Sequence, residues 1–341
     1  MNKKKLLAHA LCRSGLMGLI PGLLPRLRSA LRILAYHRVL DIEDEDKYPF
    51  DPELISASTS EFRWQMAYLK AHFSPISFAA FLEMLDRDEP VPSNAVIVTF
   101  DDGFEDNYTN AYPILRDMDM PATIFLSTGY IGSADTYWFD TVVNCIYRLK
   151  TGQLRLPMLN LERSISDSVA SRRQLAEDVL GAMKVVPEKT RIAALDDLLG
   201  QHPDIRELKD NPLSRPMNWE QVQEMSGNGI EFGSHTVSHP ILSRVGAEQL
   251  EFELHESRKT IEEKTAQSAD VIAYPVGGSM EYSDAVISVA RNAGYRMGAS
   301  YISGVNRLDA LHHYGLRRIH VERYTSREEF QAALLLPKVF C

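Results

Sequence analysis

The chain has 341 residues, enough for one large α/β domain or two ordinary ones. Its 45% apolar and 24% charged residues argue against bulk disorder, and a net charge of -9 argues against a nucleic-acid partner. Three distant cysteines, Cys12, Cys145 and Cys341, form no CxxC pair and give no basis for a disulfide framework or a zinc–thiolate site.

Residues 1–30 read as an amphipathic helical arm. MNKKKLLAHALCRSGLMGLIPGLL has the basic start and apolar tail of a signal peptide. His9 and Arg13 interrupt the apolar run, however, Pro21 follows, and no small-x-small cleavage site stands out. The run Leu16 to Leu24 is far too short to span a bilayer. The arm is expected either to dock on the folded domain or to lie on a membrane surface, with the basic residues of positions 1–28 facing head groups. The expected location is the cytoplasm or the periphery of the inner membrane, with an extracytoplasmic one left open.

Residues 31–341 read as one domain. Ile33 to Tyr36 is a short apolar run leading into His37, and 41–58 is an acidic, proline-containing loop. Ser60 to His72 and Phe78 to Leu85 have helical spacing, with Ser60 as the expected cap of the first. Val96 to Phe100 is rich in β-branched residues, the mark of a strand buried on both faces. It stops at Asp101-Asp102-Gly103. Asn107 to Met118 reads as a helix and Ala122 to Ser127 as another buried strand.

At about 135–215 the strand signals thin out, and Thr141 to Leu149 and Ser171 to Met183 suggest a helical insertion. Trp138, Phe139 and Asp140 open it, as a sugar-stacking platform or as packing. Strands are then expected at Ile230–Gly233, Val271–Tyr274, Arg296–Ser300 and Leu316–Val321, separated by helices at Ala247–Lys264 and Tyr282–Ala293. Ser326 caps a closing helix. Strand followed by helix, repeated about seven times, predicts an α/β fold, a distorted (β/α)7-8 barrel with a helical insertion.

Every candidate chemical group falls just past the C-terminal end of an expected strand, the face of such a barrel that carries catalysis. Two adjacent carboxylates there are costly unless a cation sits beside them, although acids at such a turn also cap helices. His235 and His239, in GSHTVSHP, are spaced i, i+4, so that one helical turn would bring both imidazoles to a shared metal. One carboxylate and two imidazoles leave positions open for water and substrate, which is a catalytic arrangement.

TFDDG at Thr99–Gly103 and SHTVSHP at Ser234–Pro240 resemble the first two motifs of the polysaccharide deacetylase family, the NodB-homology or family 4 carbohydrate esterases. The resemblance runs over most of Ile33 to Val321 apart from the insertion. It implies a hydrolase that uses a divalent metal to remove N-acetyl, or occasionally O-acetyl, groups from sugars, here an N-acetylhexosamine of an exopolysaccharide or lipid-linked glycan. By resemblance Asp102, His235 and His239 hold the metal, zinc first, with cobalt, nickel or manganese also compatible with such donors. Asp101 is then the general base.

Family members mostly carry the general acid in a late Leu-x-His motif, whereas this chain ends in LRRIHV and has AYHRV early. The early motif resembles the circularly permuted subgroup of exopolysaccharide deacetylases, which assigns the acid to His37, with His320 the alternative. Where the family often shows Arg-x-Pro-Tyr, this chain has Ala273-Tyr274-Pro275-Val276. Arg317 or, preferably, Arg318 is expected to replace the missing Arg beside Asp101. Tyr274, Pro275 and Val276 are expected at the substrate, with the Val276 N–H serving the oxyanion. A small-amide hydrolase of the same fold, or a silent carbohydrate-binding homologue, remains the competing expectation.

Overall fold

The computed structural model of the protein describes residues 6–10, 30–202 and 211–340. Seven parallel strands close into a barrel: β1 (Ala30–Tyr36), β2 (Ala95–Phe100), β3 (Ala122–Leu126), β4 (Ile230–Ser234), β5 (Val271–Ala273), β6 (Met297–Ser303) and β7 (Leu316–His320). Around the ring they run β1-β7-β6-β5-β4-β3-β2, and β2 pairs with β1 to close it. Parallel strands need crossovers, which the intervening helices supply.

Alternation along each strand separates two apolar layers. Leu34, Tyr36, Val96, Val98 and Phe100 pack outward against Phe62, Met66 and Leu69 of helix Thr59–His72. Leu31, Ile33, Ile97, Phe125, Met297 and Leu316 form an inner layer with Phe78, Phe81 and Leu82 of helix Phe78–Asp86. That helix is anchored at the N-terminal end of the barrel. The Glu231 carboxylate, near the start of β4, accepts from Phe78 N at 2.9 Å and Ala79 N at 3.1 Å. An anion at a helix N-terminus satisfies orphan N–H groups and the dipole together.

Strand register sets the opposite, C-terminal rim. Tyr36 lies opposite Phe100, Phe100 opposite Ile124, and Leu126 opposite Ser234. The residues that follow, His37, Asp101 and His235, therefore leave the barrel at one level.

The insertion differs from the expectation of helices alone. Helices Trp138–Arg148, Val169–Lys184 and Glu188–Gln201 are joined by an antiparallel hairpin, Gly152–Leu156 with Leu161–Ile165. Only its inward Leu154, Leu156, Leu161 and Ile165 are apolar, and so the segment lacked the continuous run that marks the barrel strands. They share a separate core with Val142, Ile146, Val179 and Leu198, where Cys145 lies as a buried thiol. Two further corrections are local. Ser58, not Ser60, caps helix Thr59–His72, and Asn107–Ala111 is a π-type turn leading into helix Tyr112–Asp117.

Most of the N-terminal arm lies outside the described residues. Within 6–10, Ala8 packs on Ala332 of the closing helix Arg327–Leu335, and His9 sits 3.7 Å from Glu328. No described helix is long and apolar enough to cross a membrane.

Candidate active site

β2 ends in a turn that presents both acids. Asp101 N donates to Tyr36 O at 2.9 Å, which fixes the carboxylate beside β1. Asp102 takes a left-handed φ of 74° and Gly103 one of 89°. A Cβ at Gly103 would stand 2.7 Å from Leu126 Cδ2, and the left-handed φ favours glycine there.

His235 follows β4. Its Nδ1 lies 2.7 Å from Ala273 O, a carbonyl that can only accept, and this leaves Nε2 as the free lone pair. His239 does not reach the site by a helical turn, as its i, i+4 spacing suggested. The chain instead makes a tight loop, with Thr236 at φ 71° and His239 at φ 55°. Glu253, from helix Ala247–Thr265, holds that loop by accepting from Val237 N at 2.7 Å and Ser238 N at 3.0 Å. Trp138 Nε1 donates to His239 O at 3.2 Å, tying the insertion to the same loop.

Asp102 Oδ1 lies 3.5 Å from His235 Nε2 and 3.3 Å from His239 Nε2. One ligand atom from each residue falls within 4.8 Å of the others, and all three residues are buried. Asp102 Oδ1 is a buried oxygen with no hydrogen-bond partner. Burial pushes His235 down and His239 down to about 3, so both imidazoles are neutral, the form that ligates. Burial also pushes Asp102 up, which a nearby cation would reverse. An orphaned carboxylate oxygen facing two neutral imidazoles fits a divalent metal with nitrogen and oxygen ligands.

Asp101 is held differently. Arg318 Nη1 and Nη2 donate to its two oxygens, each at 2.7 Å, with both side chains almost fully buried. Arg318 Nε is fixed in turn on Ser300 O at 2.8 Å. Burial alone would raise the Asp101 carboxyl, but Arg318 and His235 overcome it and hold the group well below the usual range. Arg317 points the other way along β7 and donates to Ser303 O. That follows from strand parity: neighbouring residues face opposite sides.

The sequence profile described as "Polysaccharide deacetylase" matches residues 88–298, more than half of the chain. The chain belongs to the polysaccharide deacetylase family. The family comprises hydrolases of carbon–nitrogen bonds. YxkH of Bacillus subtilis, a polysaccharide deacetylase by name, is 24% identical over 249 residues, 73% of this chain and 59% of its own length. The poly-beta-1,6-N-acetyl-D-glucosamine N-deacetylase of Escherichia coli K12 is 37% identical over 83 residues, 24% of this chain and 12% of its own. The chain thus spans under two thirds of either relative. Among solved structures, the Streptococcus pyogenes deacetylase PplD superposes with a TM-score of 0.58 at 19% identity, covering 92% of this chain and 98% of that one. IcaB from Ammonifex degensii gives 0.56 at 16%, covering 90% and 96%. At these identities the two share the fold.

In this member of the family, a cleft of about 380 Å³ opens over the site, lined among others by His37, Asp101, Asp102, His235, His239 and Val276. His37 is held there through its backbone, N to Ser56 Oγ at 2.9 Å and O from Asn107 Nδ2 at 2.8 Å. Burial pushes its imidazole down, while Asp102 and Asp101 pull it up. His320 stacks on Tyr301 at 3.7 Å between ring centroids and is not part of the cleft lining. His312 and His313 are exposed and are not part of that lining either.

Tyr274 and Val276 line the cleft, and the Tyr274 hydroxyl donates to Tyr314 O at 3.1 Å. Val276 has φ 62°, a strained setting for a β-branched residue. Its N–H has no acceptor among the described residues. Trp138 and Phe139 are buried and also form part of the cleft wall, so packing and cleft-lining roles coincide. Asp140 turns inward to a hydrogen bond with Ser214.

Sequence reasoning missed Asp51, Lys184, Tyr301 and Tyr324, which also line the cleft. Asp51 sits in the loop over the rim, Lys184 ends an insertion helix, and Tyr301 lies within β6. No local pattern distinguishes them from ordinary loop, helix and strand residues. Arg38, next to His37, was missed as well; it forms a buried pair with Asp106 at 2.7 Å that ties the segment after β1 to the turn after β2.

Proposed function

We propose that the protein is a divalent-metal-dependent N-deacetylase acting on an N-acetylhexosamine in an exopolysaccharide or lipid-linked glycan. The observation that carries this reading is the division of labour between adjacent acids. Asp101 is locked as a carboxylate by Arg318, while Asp102 faces two neutral imidazoles with an oxygen left unpaired. Asp102, His235 and His239 would hold the metal, zinc by first choice, and when bound it supplies Lewis-acid polarisation and a more acidic water.

The chain's own groups do the rest. Asp101 is placed to accept a proton from the attacking water, and Arg318 keeps it charged and oriented for that task. The unpaired Val276 N–H suits an oxyanion at the former acetyl carbonyl. His37, in the cleft lining, gives a proton to the leaving amine. With that proton on the nitrogen, the C–N bond of the tetrahedral adduct breaks, and the free amine and acetate leave. The Escherichia coli relative, named for N-deacetylation of poly-beta-1,6-N-acetyl-D-glucosamine, supports this substrate class. The working location is the cytoplasm or the inner-membrane surface, the latter contacted through the basic residues of positions 1–28, with an extracytoplasmic location the alternative.

The test is metal analysis together with acetate release from N-acetylglucosamine oligomers and lipid-linked N-acetyl sugars. Wild type is expected to release acetate only when metal-loaded, and D101N to retain metal without turnover. A metal-loaded wild type that releases no acetate from any of these substrates would overturn the reading.

A further inference from the structure

Lys184 is the last residue of insertion helix Val169–Lys184, yet it lines the catalytic cleft. Its surroundings are unusual for a lysine. Burial lowers its pKa, with Asp51 and Glu281 pulling the other way. Among the described residues it forms no ion pair or hydrogen bond. Arg323, which also lines the cleft, is paired with Glu45 at 3.2 Å.

Asp51 lines the same cleft. One of its oxygens accepts from Glu53 N at 2.9 Å, and the other has no partner among the described residues. Burial raises this carboxyl, and Lys184 opposes that rise. The two groups therefore feel each other's charge without forming a salt bridge. Both side chains are half-buried at the cleft, and they offer a donor and an acceptor to whatever enters it. A ligand that both donates and accepts hydrogen bonds suits such a pair. Sugar hydroxyls do both, each offering one O–H and two lone pairs.

We propose that Asp51 and Lys184 grip the hydroxyl groups of a neutral sugar ring in the catalytic cleft, Asp51 accepting from one hydroxyl and Lys184 donating to a neighbouring oxygen. The proposal rests on the deacetylase reading and sharpens its substrate class. Neutrality follows from the cleft wall, where Asp51, Glu53 and Glu322 outnumber Lys184, the one lining cation without a partner among the described residues, so that a uronic acid or a phosphorylated sugar meets net repulsion. The assignment also gives the insertion a purpose. It carries half of a sugar-recognition pair to the barrel rim, while the loop after β1 carries the other half.

The experiment uses the full metal-loaded chain and N-acetylglucosamine oligomers of two to five units. Lys184→Met and Asp51→Asn are each expected to raise KM by about tenfold or more, the worth of one hydrogen bond to a charged group, with a smaller loss in kcat. Lys184→Arg is expected to recover part of the KM. Metal content and melting temperature serve as controls for folding. Calorimetric titration of the same oligomers into D101N, D101N/K184M and D101N/D51N reads binding without turnover.

Unchanged KM and unchanged affinity in both variants would overturn the proposal. So would a loss confined to uronic-acid oligomers. If wild type releases no acetate but D101N binds neutral oligomers through Lys184 and Asp51, the catalytic reading fails while the recognition pair stands.

Discussion

Replacing Arg318 with methionine keeps most of the side-chain volume and removes the charge. In the native structure Arg318 is fully buried and makes two 2.7 Å bonds to Asp101, with a further bond to Ser300 O. Removing one partner of such a pair strands a buried carboxylate, a loss of about 3–5 kcal/mol in stability. The same change removes the main charge that opposes burial, and Asp101 then takes up a proton instead of accepting one from water. Turnover should fall by roughly 10²–10⁴, the usual worth of a positioned acid–base group. R318K keeps the charge but loses the planar fork, and should fall between wild type and R318M.

Urea unfolding and acetate release measure the two effects separately. The double variant D101N/R318M should be less destabilised than the two single changes sum to, by about 0.5–3 kcal/mol, because neither charge is left alone. R318M unfolding within about 0.5 kcal/mol of wild type, with turnover preserved, would refute the idea that Arg318 holds the base.

Other outcomes follow from the same structure. H37A should lose most turnover while H320A retains it, because only His37 lines the cleft; acetate release with the reversed pattern would move the acid to His320. Chelation should abolish activity and lower the melting temperature by removing the partner of Asp102, with recovery on adding back zinc. G233A should destabilise by about 1–3 kcal/mol, because the added Cβ would meet the Phe125 ring at 2.6 Å and Val271 O at 2.8 Å; denaturant titration checks it. Asp140, pushed up to about 7 by burial, binds a proton in the folded state across a range where the unfolded chain has lost it. Its contribution is therefore full below about pH 4 and fades as pH rises through about 7, and D140N should flatten that part of the stability–pH curve.

Much of the site could be read in one dimension because its parts are local. A buried apolar run ending in Asp101-Asp102-Gly103 is costly without a cation, and that cost is visible in the residue order. The strand-end placement of His37 and His235 is equally local. Other parts were hidden by the way the chain packs. His239 joins the cluster through a strained loop clamped by Glu253, and spacing alone suggested a helical turn. The hairpin at Gly152–Leu156 and Leu161–Ile165 escaped detection because its alternation is short and its outward residues are polar.

By itself, then, the sequence determined the strand–helix rhythm through hydrophobic run length, and its two short motifs pointed, through their resemblance to a family, to the candidate metal ligands and the candidate base. Tertiary structure decided how distant segments meet. Register between β1 and β2 set His37 beside Asp101, strand parity chose Arg318 over Arg317, and the fold of the insertion carried Lys184 to the cleft. The physical reason is that a charge's partner is chosen by proximity in space, and closing the barrel brings Arg318 to Asp101 across 217 positions of chain.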